Sequence, residues 1–326
     1  MTRLDRKSAA PPGPKTRPGG PVARRDSDFL LTTGALLVAL VLLVVAGCTG
    51  ATEKPKPTVA EKIKETSLAT KDEIRIGVYK DAPLMGYVEN GVRSGFDIDL
   101  ARSVAKFLGF EPSQIKWVEL TTAERDTFLQ AGQVDLVIAS YSMTADRLTK
   151  VRFAGPYLVT TQAVLIHKRL EGQIREIPHL RGHRVCVTGA STSKEQLERE
   201  KVEVETLTNR QDCVQGILDG RYQAMSSDRT ILAGFVHQHP RELAIVPMPF
   251  GGNERLGIGI PKNDEALEQL VTYYLHKSYR AEQAGEATDW QIAYRENLWP
   301  YLGAIQQPPP DGRPIELFDQ DVRNRR

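Results

Sequence analysis

Apolar residues along the chain follow two periods, one of buried strands and one of amphipathic helices. Between residues 71 and 305, short apolar runs rich in β-branched residues alternate with longer segments whose apolar residues recur every three or four positions. Such alternation is typical of βαβ units, in which the strands are parallel. The pattern therefore predicts an α/β fold with two such units in succession.

The predicted elements follow from these runs and from the residues that bound them. We predict strands over residues 74–78, 115–118, 134–139, 162–167, 185–187, 204–207, 224–226, 244–246 and 256–260. We predict helices over residues 96–108, 193–201, 213–218, 230–237, 266–280 and 290–298, with two more beginning near residues 125 and 145.

Two arginines lie on either side of the predicted strand 134–139. Arg125 opens an amphipathic helix, and Arg147 follows Thr144, which is a good N-cap residue. Ser140 and Ser142 lie at the carboxyl end of the strand between them. Backbone N–H groups at a helix start, together with the planar donor fork of an arginine, suit a carboxylate. This segment is therefore our candidate anion site.

The N-terminal region contains an uncharged apolar run over residues 29–46. Such a run is either a cleaved export signal or a retained membrane span. The sequence Val45-Ala46-Gly47-Cys48 resembles the lipobox of bacterial lipoproteins. We therefore expect a signal peptide over residues 1–47 and lipidation of Cys48, with a plain membrane anchor as the alternative.

Two further segments have compositions that do not favour packing. Residues 48–70 are rich in Lys, Glu, Thr and Pro, so we expect a flexible tether. Residues 306–326 contain three consecutive prolines and a charged end, and we expect an extended C-terminal tail outside the core.

The charge balance changes once the predicted signal is removed. Residues 1–47 carry seven of the 43 Lys and Arg and three of the 41 Asp and Glu, which leaves 36 basic and 38 acidic residues. A net charge near −2 without a basic stripe argues against a nucleic-acid partner. The six histidines show no ligand-like spacing, so we expect no metal, and nothing in the sequence points to a cofactor.

Cys186 and Cys213 are the remaining cysteines. Cys186 lies in a predicted strand and Cys213 at a predicted helix start. Exported proteins meet an oxidising compartment, so we favour a disulfide between them over two buried free thiols.

Several motifs together resemble the periplasmic-type amino-acid solute-binding proteins of family 3, and more narrowly the glutamine- and glutamate-binding lipoproteins of actinobacteria. The order and spacing of these motifs carry the resemblance over residues 72–300. The motifs are Ser94-Gly95-Phe96-Asp97, Ala123-Glu124-Arg125, Gln133-Val134-Asp135, Met143-Thr144-x-x-Arg147, Phe153-Ala154-Gly155-Pro156-Tyr157, Leu180-x-Gly182-x-x-Val185, Ser227-Asp228, Gly257-Ile258-Gly259-Ile260-Pro261-Lys262 and Trp290-x-x-x-Tyr294.

The resemblance implies a two-lobed, Venus-flytrap α/β fold joined by two hinge strands, with the ligand in the cleft. Mapped onto this chain, lobe 1 comprises residues 71–157 and 256–305, and lobe 2 comprises residues 158–255. It also implies an extracytoplasmic, lipid-anchored monomer that delivers a polar amino acid to an ABC permease. A membrane signalling protein that reads the closed form is the alternative partner.

The resemblance also implies which residues contact the amino acid. Arg147 takes the α-carboxylate together with the backbone N–H groups of Ser142 and Thr192, and the helix start at Ser191 adds a second anion-friendly site. Asp228 takes the α-ammonium, supported by the Ser140 carbonyl and the Ser142 hydroxyl. A helix N-cap is the alternative role for Asp228.

Arg125 is the residue that we expect to select the ligand. A guanidinium fork matches a side-chain carboxylate, so we favour glutamate or aspartate over asparagine or glutamine. The alternative is a surface ion pair with Glu124 or Asp126. Relatives carry an aromatic clamp after the first strand, for which Tyr87 is the candidate here, with Lys80 as a second cation for an acidic side chain.

An enzymatic function is the less favoured class. Ser191-Thr192-Ser193-Lys194 fits S-x-x-K, but no K-T-G motif follows. Some relatives of the fold are arogenate or prephenate dehydratases, so the fold alone does not exclude catalysis. We expect a binding protein and not an enzyme.

Overall fold

The structure is a computed structural model that describes residues 55–317. Its strands lie close to the apolar runs that predict them. They are β1 (Ile74–Val78), β2 (Asp81–Ala82), β3 (Gly86–Glu89), β4 (Val92–Ser94), β5 (Ile115–Glu119), β6 (Leu136–Val137), β7 (Arg152–His167), β8 (Val185–Thr188), β9 (Val204–Leu207), β10 (Ala224–Asp228) and β11 (Leu243–Ile260).

The helices alternate with these strands, as predicted. They are α1 (Val59–Ile63), α2 (Phe96–Phe107), α3 (Glu124–Gln130), α4 (Ala145–Lys150), α5 (Thr192–Arg199), α6 (Arg210–Leu218), α7 (Arg229–Gln238), α8 (Glu265–Gln283), α9 (Asp289–Asn297) and α10 (Trp299–Leu302).

One sheet of eight strands, in the order β5-β1-β6-β11-β7-β10-β8-β9, runs through the structure. β1 pairs in parallel with β5 and β6, and β8 pairs in parallel with β9 and β10. β2, β3 and β4 form a small separate sheet. The half of the large sheet that holds β1, β5 and β6 is the first lobe, and the half that holds β8, β9 and β10 is the second lobe.

The central strands β7 and β11 connect the two lobes. They pair antiparallel from Arg152 opposite Ile260 at one end to His167 opposite Leu243 at the other, with Thr160 opposite Glu254 between them. These are the two hinge strands of the predicted fold, and the two-lobed α/β architecture is confirmed. The sequence predicts only fragments of them, because polar residues such as Thr160 and Glu254 interrupt the apolar runs.

Helices cover the sheet and bury its apolar side chains. Ile76, Val137, Val164 and Val185 are fully buried, as expected for strands covered on both faces. Each such side chain contributes roughly 1.5–3 kcal/mol to folding. Trp290 of α9 is also buried, and its indole N–H donates to the Tyr157 carbonyl oxygen at 2.7 Å, which ties α9 to β7.

The predicted disulfide is present in the second lobe. Cys186 of β8 and Cys213 of α6 are bridged, with their Cα atoms 5.6 Å apart and a separation of 27 positions in sequence. A crosslink that closes a loop of this length stabilises the fold by about 3.5 kcal/mol in the chain-entropy model.

Part of the predicted tether packs against the folded body. Thr58 and Glu61 form a capping box that starts α1, Leu68 is buried, and the Ser67 N–H donates to Asp264 at 2.8 Å. Local capping and one apolar anchor thus offset the polar composition of this stretch. The predicted signal peptide and Cys48 lie outside the described residues.

The first part of the predicted tail also packs against the body. Gln307 is buried, and its side-chain amide donates to the Leu275 carbonyl oxygen at 2.9 Å while its N–H donates to Glu282 at 3.0 Å. Leu317 joins the hydrophobic core. The prolines therefore direct an extended segment across α8 rather than into solvent.

Within residues 55–317, none of the helices has the length and apolar character that crossing a membrane requires.

Candidate functional site

Arg147 lies between the two lobes. Thr144 caps α4 by accepting a hydrogen bond from the Arg147 N–H, as predicted. The guanidinium is buried and donates to the Ser142 carbonyl oxygen at 2.9 Å and to the Ala190 carbonyl oxygen at 3.0 Å. Because Ser142 follows β6 and Ala190 follows β8, this side chain contacts both lobes.

Arg125 is buried below the start of α3 and not on the surface. Its Nε donates to the Thr122 carbonyl oxygen at 3.0 Å, and its Nη1 donates to those of Ala139 and Ser140 at 3.2 and 3.0 Å. The neighbouring Asp126 accepts instead from the Tyr141 hydroxyl. The surface ion pair is therefore not the arrangement that forms.

A third buried arginine, Arg210, lies at the start of α6 and was not among the predicted site residues. Its Nη1 pairs with Asp81 of the first lobe at 2.7 Å, and its Nη2 donates to the Thr122 hydroxyl at 2.8 Å. Burial alone would lower the pKa of Arg210, but Tyr79 and the Asp81 carboxylate raise it above its ordinary value. Arg210 thus connects the second lobe to the first.

These three guanidinium groups alternate with two tyrosine rings, and we call Arg147, Tyr141, Arg125, Tyr79 and Arg210 the arginine–tyrosine column. The carbon of the Arg147 guanidinium lies 5.1 Å from the centre of the Tyr141 ring, and that of Arg125 lies 4.5 Å from the same ring. The Tyr79 ring lies 5.6 Å from Arg125 and 3.8 Å from Arg210. Cation–π attraction stabilises such a stack, most strongly where it is desolvated.

The column holds more positive charge than its protein partners neutralise. Among the described residues, only Arg210 of the three arginines forms an ion pair, and Arg125 and Arg147 donate to neutral carbonyl oxygens. Burial lowers the pKa of Arg125, and the charges of Arg147 and Arg210 act in the same direction. A buried cation without a counter-charge is costly, so the column favours an anionic ligand.

Asp228 lies at the opposite side of the cleft, at the end of β10. It occupies the N-cap position of α7, but its side chain caps no N–H group. Its Oδ1 instead accepts from Gln162 at 2.8 Å. Burial and the nearby Glu254 carboxylate together raise the pKa of Asp228 to about 7, although the three arginines lower it.

Gln162 of β7 joins the Asp228 side to α5 and was missed by the sequence analysis. Its amide nitrogen donates to Asp228 and, at 3.1 Å, to the Thr192 hydroxyl, while its carbonyl oxygen accepts from the Ser193 hydroxyl.

Glu254 is a second buried polar residue that the sequence analysis missed. It lies opposite Thr160 on the hinge, and its buried side chain has no hydrogen bond or ion pair among the described residues.

The turn at Ser140 is held by Asp97 of α2. Ser140 has φ +42°, and its N–H and hydroxyl both donate to Asp97, at 2.8 and 3.2 Å. Burial raises the pKa of Asp97 to about 6, although hydrogen bonds from Tyr157 and Ser140 lower it. The turn directs the Ser140 carbonyl oxygen towards Arg125.

Ser142 follows this turn and pairs with Leu256 of β11 in an isolated antiparallel bridge. The flanking hydrogen bonds, Met143 N–H to the Arg255 oxygen and Gly257 N–H to the Tyr141 oxygen, define a non-hydrogen-bonded pair. The Ser142 N–H therefore points away from β11.

Ser191 caps α5, because its hydroxyl accepts from the Lys194 N–H at 3.2 Å. The Thr192 N–H lies in the first turn, where no intrahelical acceptor exists. Lys194 extends its ammonium to Glu198 at 3.3 Å. The S-x-x-K sequence thus forms a helix start and not a serine–lysine pair.

Two predicted site residues are not brought into this cluster. Lys80 is exposed and pairs with Glu119 at 2.8 Å. Tyr87 lies in β3 and lines an open cavity between the lobes with Pro83 and Gln211. Tyr79, directly after β1, is the aromatic residue that lies in the column.

The lobes are in contact, so the cleft is closed. Besides the bonds of Arg147 and Arg210, the hydroxyls of Thr122 and Thr188 lie 3.5 Å apart across the cleft. Gly234 of α7 faces the Pro83 carbonyl so closely that a side chain there would collide with it. Residues 55–317 contain no group of His, Cys, Asp and Glu side chains that could hold a metal ion.

The sequence matches the model of one protein family over most of the folded region. The family is described as bacterial extracellular solute-binding proteins, family 3, and the match covers residues 74–289. The glutamate-binding protein GluB of Corynebacterium efficiens is 31% identical over 218 residues, which are 63% of this chain and 74% of that protein.

A second relative and a solved structure agree with this match. The ABC transporter glutamine-binding protein GlnH of Bacillus subtilis is 28% identical over 248 residues, 74% of this chain and 88% of that protein. The structure of an ancestral arginine-binding protein bound to glutamine superposes with a TM-score of 0.63 and 28% identity, covering 72% of this chain and all of that one. These relatives are named as binding proteins.

The raised pKa of Asp228 predicts a pH dependence of folding. Between the ordinary value of 3.8 and about 7, the folded protein holds a proton on Asp228 that the unfolded chain has lost, so rising pH removes stability. An Asp228→Asn variant has no carboxyl group at this position, so rising pH does not remove this stability from it. Its free energy of unfolding relative to wild type should therefore rise across this interval by up to about 1.4 kcal/mol per pH unit and then level off.

Denaturant unfolding at a series of pH values without added amino acids measures this difference. Asp219→Asn, at the exposed C-cap position directly after α6, is the matched control and should differ from wild type by a constant amount. A pH-independent difference for Asp228→Asn would mean that this carboxylate is ionised throughout.

Proposed function

The chain belongs to the bacterial extracellular solute-binding proteins of family 3, and we propose that it captures a polar amino acid between its lobes, with glutamate or aspartate preferred. The observation that carries this proposal is the arginine–tyrosine column, which holds two buried guanidinium groups bound only to carbonyl oxygens. A ligand with two carboxylates can pair with both guanidinium groups, whereas a ligand with one carboxylate leaves one of them without an anionic partner.

The proposed contacts separate the charges of the amino acid. Arg147 binds the α-carboxylate, with the N–H groups of Ser142 and Thr192 as further donors. Asp228 binds the α-ammonium. The positive charge of the ammonium favours the ionised form of Asp228, so it lowers the pKa of this carboxyl group, whereas burial raises it. Arg125 binds the side-chain carboxylate.

Supporting positions hold these groups in place. Ser140 and Ser142 supply acceptors next to the ammonium, and Ser191 fixes the start of α5. Lys80 and Tyr87 are left out of the contact set, because the exposed Lys80 already pairs with Glu119 and Tyr87 lies in the small sheet.

We further propose that the protein is anchored at Cys48 and delivers its ligand to an ABC permease. The relative GlnH is named as an ABC transporter protein, which favours a permease over a signalling partner. Closure of the lobes is the change that either partner would detect.

The lipid anchor has a direct test. Cells grown with a labelled fatty acid should incorporate the label into the wild-type protein, and a Cys48→Ser variant should remain unlabelled. Equal labelling of the two proteins would place the lipid elsewhere.

Calorimetric titration of the purified chain tests the ligand and its contacts. We expect glutamate or aspartate to bind, and Arg147→Ala to reduce affinity by at least about a hundredfold, because two charge-assisted hydrogen bonds are lost. Arg125→Ala should weaken glutamate about tenfold or more and glutamine by less than about threefold.

Arg221→Ala is the matched control, since it removes an exposed arginine of the second lobe. It should leave both affinities unchanged. The absence of binding by any common amino acid would contradict the proposed function, and equal losses of glutamate and glutamine in Arg125→Ala would contradict the role of that residue.

A further inference from the structure

Arg210 extends from the second lobe into the first. It is the first residue of α6, and its side chain is buried. Its Nη1 pairs with Asp81 at 2.7 Å, and its backbone N–H donates to the same carboxylate at 2.9 Å. Its Nη2 donates to the Thr122 hydroxyl at 2.8 Å, and its guanidinium lies against the Tyr79 ring. All three of these partners belong to the first lobe.

The start of α6 is itself fixed within the second lobe. Asn209 caps the helix, because its side-chain oxygen accepts from the Gln211 N–H at 2.8 Å. Cys213, about one turn after Arg210, is bridged to Cys186 of β8. Arg210 therefore projects towards the first lobe from a helix start that is covalently tied to the second-lobe sheet.

Thr122 receives the strongest of these contacts. It lies between β5 and α3, outside any helix or strand, so its position depends on the bonds of its side chain. Its hydroxyl lies 2.8 Å from Arg210 Nη2, 3.2 Å from the Tyr79 hydroxyl and 3.5 Å from the Thr188 hydroxyl. The bond from Arg210 is the shortest of the three and has a charged donor, so it contributes most to holding Thr122.

Thr122 in turn sets the direction of the Arg125 guanidinium. Its carbonyl oxygen accepts from Arg125 Nε at 3.0 Å, while Arg125 Nη1 donates to the oxygens of Ala139 and Ser140. Arg125 Nη2 makes no hydrogen bond among the described residues, which leaves it as a donor for a ligand. Because a guanidinium is planar, the acceptors of Nε and Nη1 determine where Nη2 points.

The Tyr79 ring provides a second connection between the same two arginines. Its centre lies 3.8 Å from the guanidinium carbon of Arg210 and 5.6 Å from that of Arg125. Arg210 thus contacts both Thr122 and Tyr79, and each of these residues contacts Arg125.

We propose that Arg210 is a positioning residue for ligand selection, which fixes Thr122 and Tyr79 and, through them, the direction of Arg125. This role rests on the proposed function, in which Arg125 binds the side-chain carboxylate. Because Arg210 belongs to the second lobe, it supports Arg125 only while the two lobes are in contact. The preference for glutamate over glutamine is therefore a property of the closed form.

Arg210 has two effects on binding that can be measured separately. Its ion pair with Asp81 joins the lobes and so favours every ligand of the closed cleft. Its contacts with Thr122 and Tyr79 act on Arg125 and so favour glutamate over glutamine. The ratio of the glutamate affinity to the glutamine affinity therefore reports the second effect without the first.

Calorimetric titration of the purified chain with glutamate and with glutamine tests this role. Arg210→Gln should weaken both amino acids and lower the affinity ratio about threefold or more, because a hydrogen bond that positions Arg125 is lost. Asp81→Asn removes the ion pair but leaves the contacts with Thr122 and Tyr79, so it should weaken both amino acids without lowering the ratio. Arg241→Gln, at an exposed arginine of the second lobe, is the control and should change neither affinity.

Arg210→Lys separates the position of the side chain from its charge, and it keeps an ion pair should Arg210→Gln fail to fold. A lysine can pair with Asp81, but it has no planar fork that lies on Tyr79 while it bonds to Thr122. The affinity ratio should therefore remain at least about threefold below that of wild type. Full recovery of the wild-type ratio would show that positive charge alone sets the preference, which would contradict a positioning role.

The Arg125→Ala background shows whether Arg210 acts through Arg125. Adding Arg210→Gln there should change the ratio less than about twofold, because the residue that it positions is absent. A drop as large as that in the wild-type background would overturn the proposal. Binding by wild type with an unchanged ratio in Arg210→Gln would contradict this role alone, whereas no binding of any amino acid by wild type would contradict the proposed function itself.

Discussion

The burial of guanidinium groups that lack counter-charges is the constraint around which this structure is arranged. Arg125 and Arg147 are removed from water and contact carbonyl oxygens and tyrosine rings, which offset only part of their desolvation. Asp97 fixes the Ser140 turn that supplies one of these carbonyls, and Trp290 fixes the strand that presents Tyr157 to Asp97. Much of the first lobe thus supports the position of two cations.

The opposite side of the cleft carries the complementary charge. Asp228 and Glu254 are both buried. They lie on β10 and β11, the two strands that pair with β7, and Gln162 of β7 holds Asp228 in place. Positive charge comes mainly from the first lobe and negative charge from the hinge and the second lobe. A zwitterion bridges these two sides, so we infer that ligand binding and lobe closure stabilise each other.

The sequence predicts the elements better than their connections. Thr144 predicts the α4 cap, and the order of strands and helices predicts the two-lobed fold. The family resemblance predicts the two hinge strands, but the apolar pattern alone predicts only fragments of them, because middle residues such as Thr160 and Glu254 are polar and pair with each other. Arg210 and Tyr79 were missed for a related reason, since their contact joins a helix start to a strand end far away in sequence. The burial of Gln307 likewise depends on hydrogen bonds to α8 and not on local composition.

The most direct test of the carboxylate-binding role of the column is a crystal structure of the protein with glutamate. We predict an α-carboxylate oxygen about 2.7–3.2 Å from a guanidinium nitrogen of Arg147, the ammonium at the same distance from Asp228, and the side-chain carboxylate on Arg125. A glutamate that lies outside the cleft, or one bound while Arg125 and Arg147 keep only their carbonyl partners, would contradict this assignment.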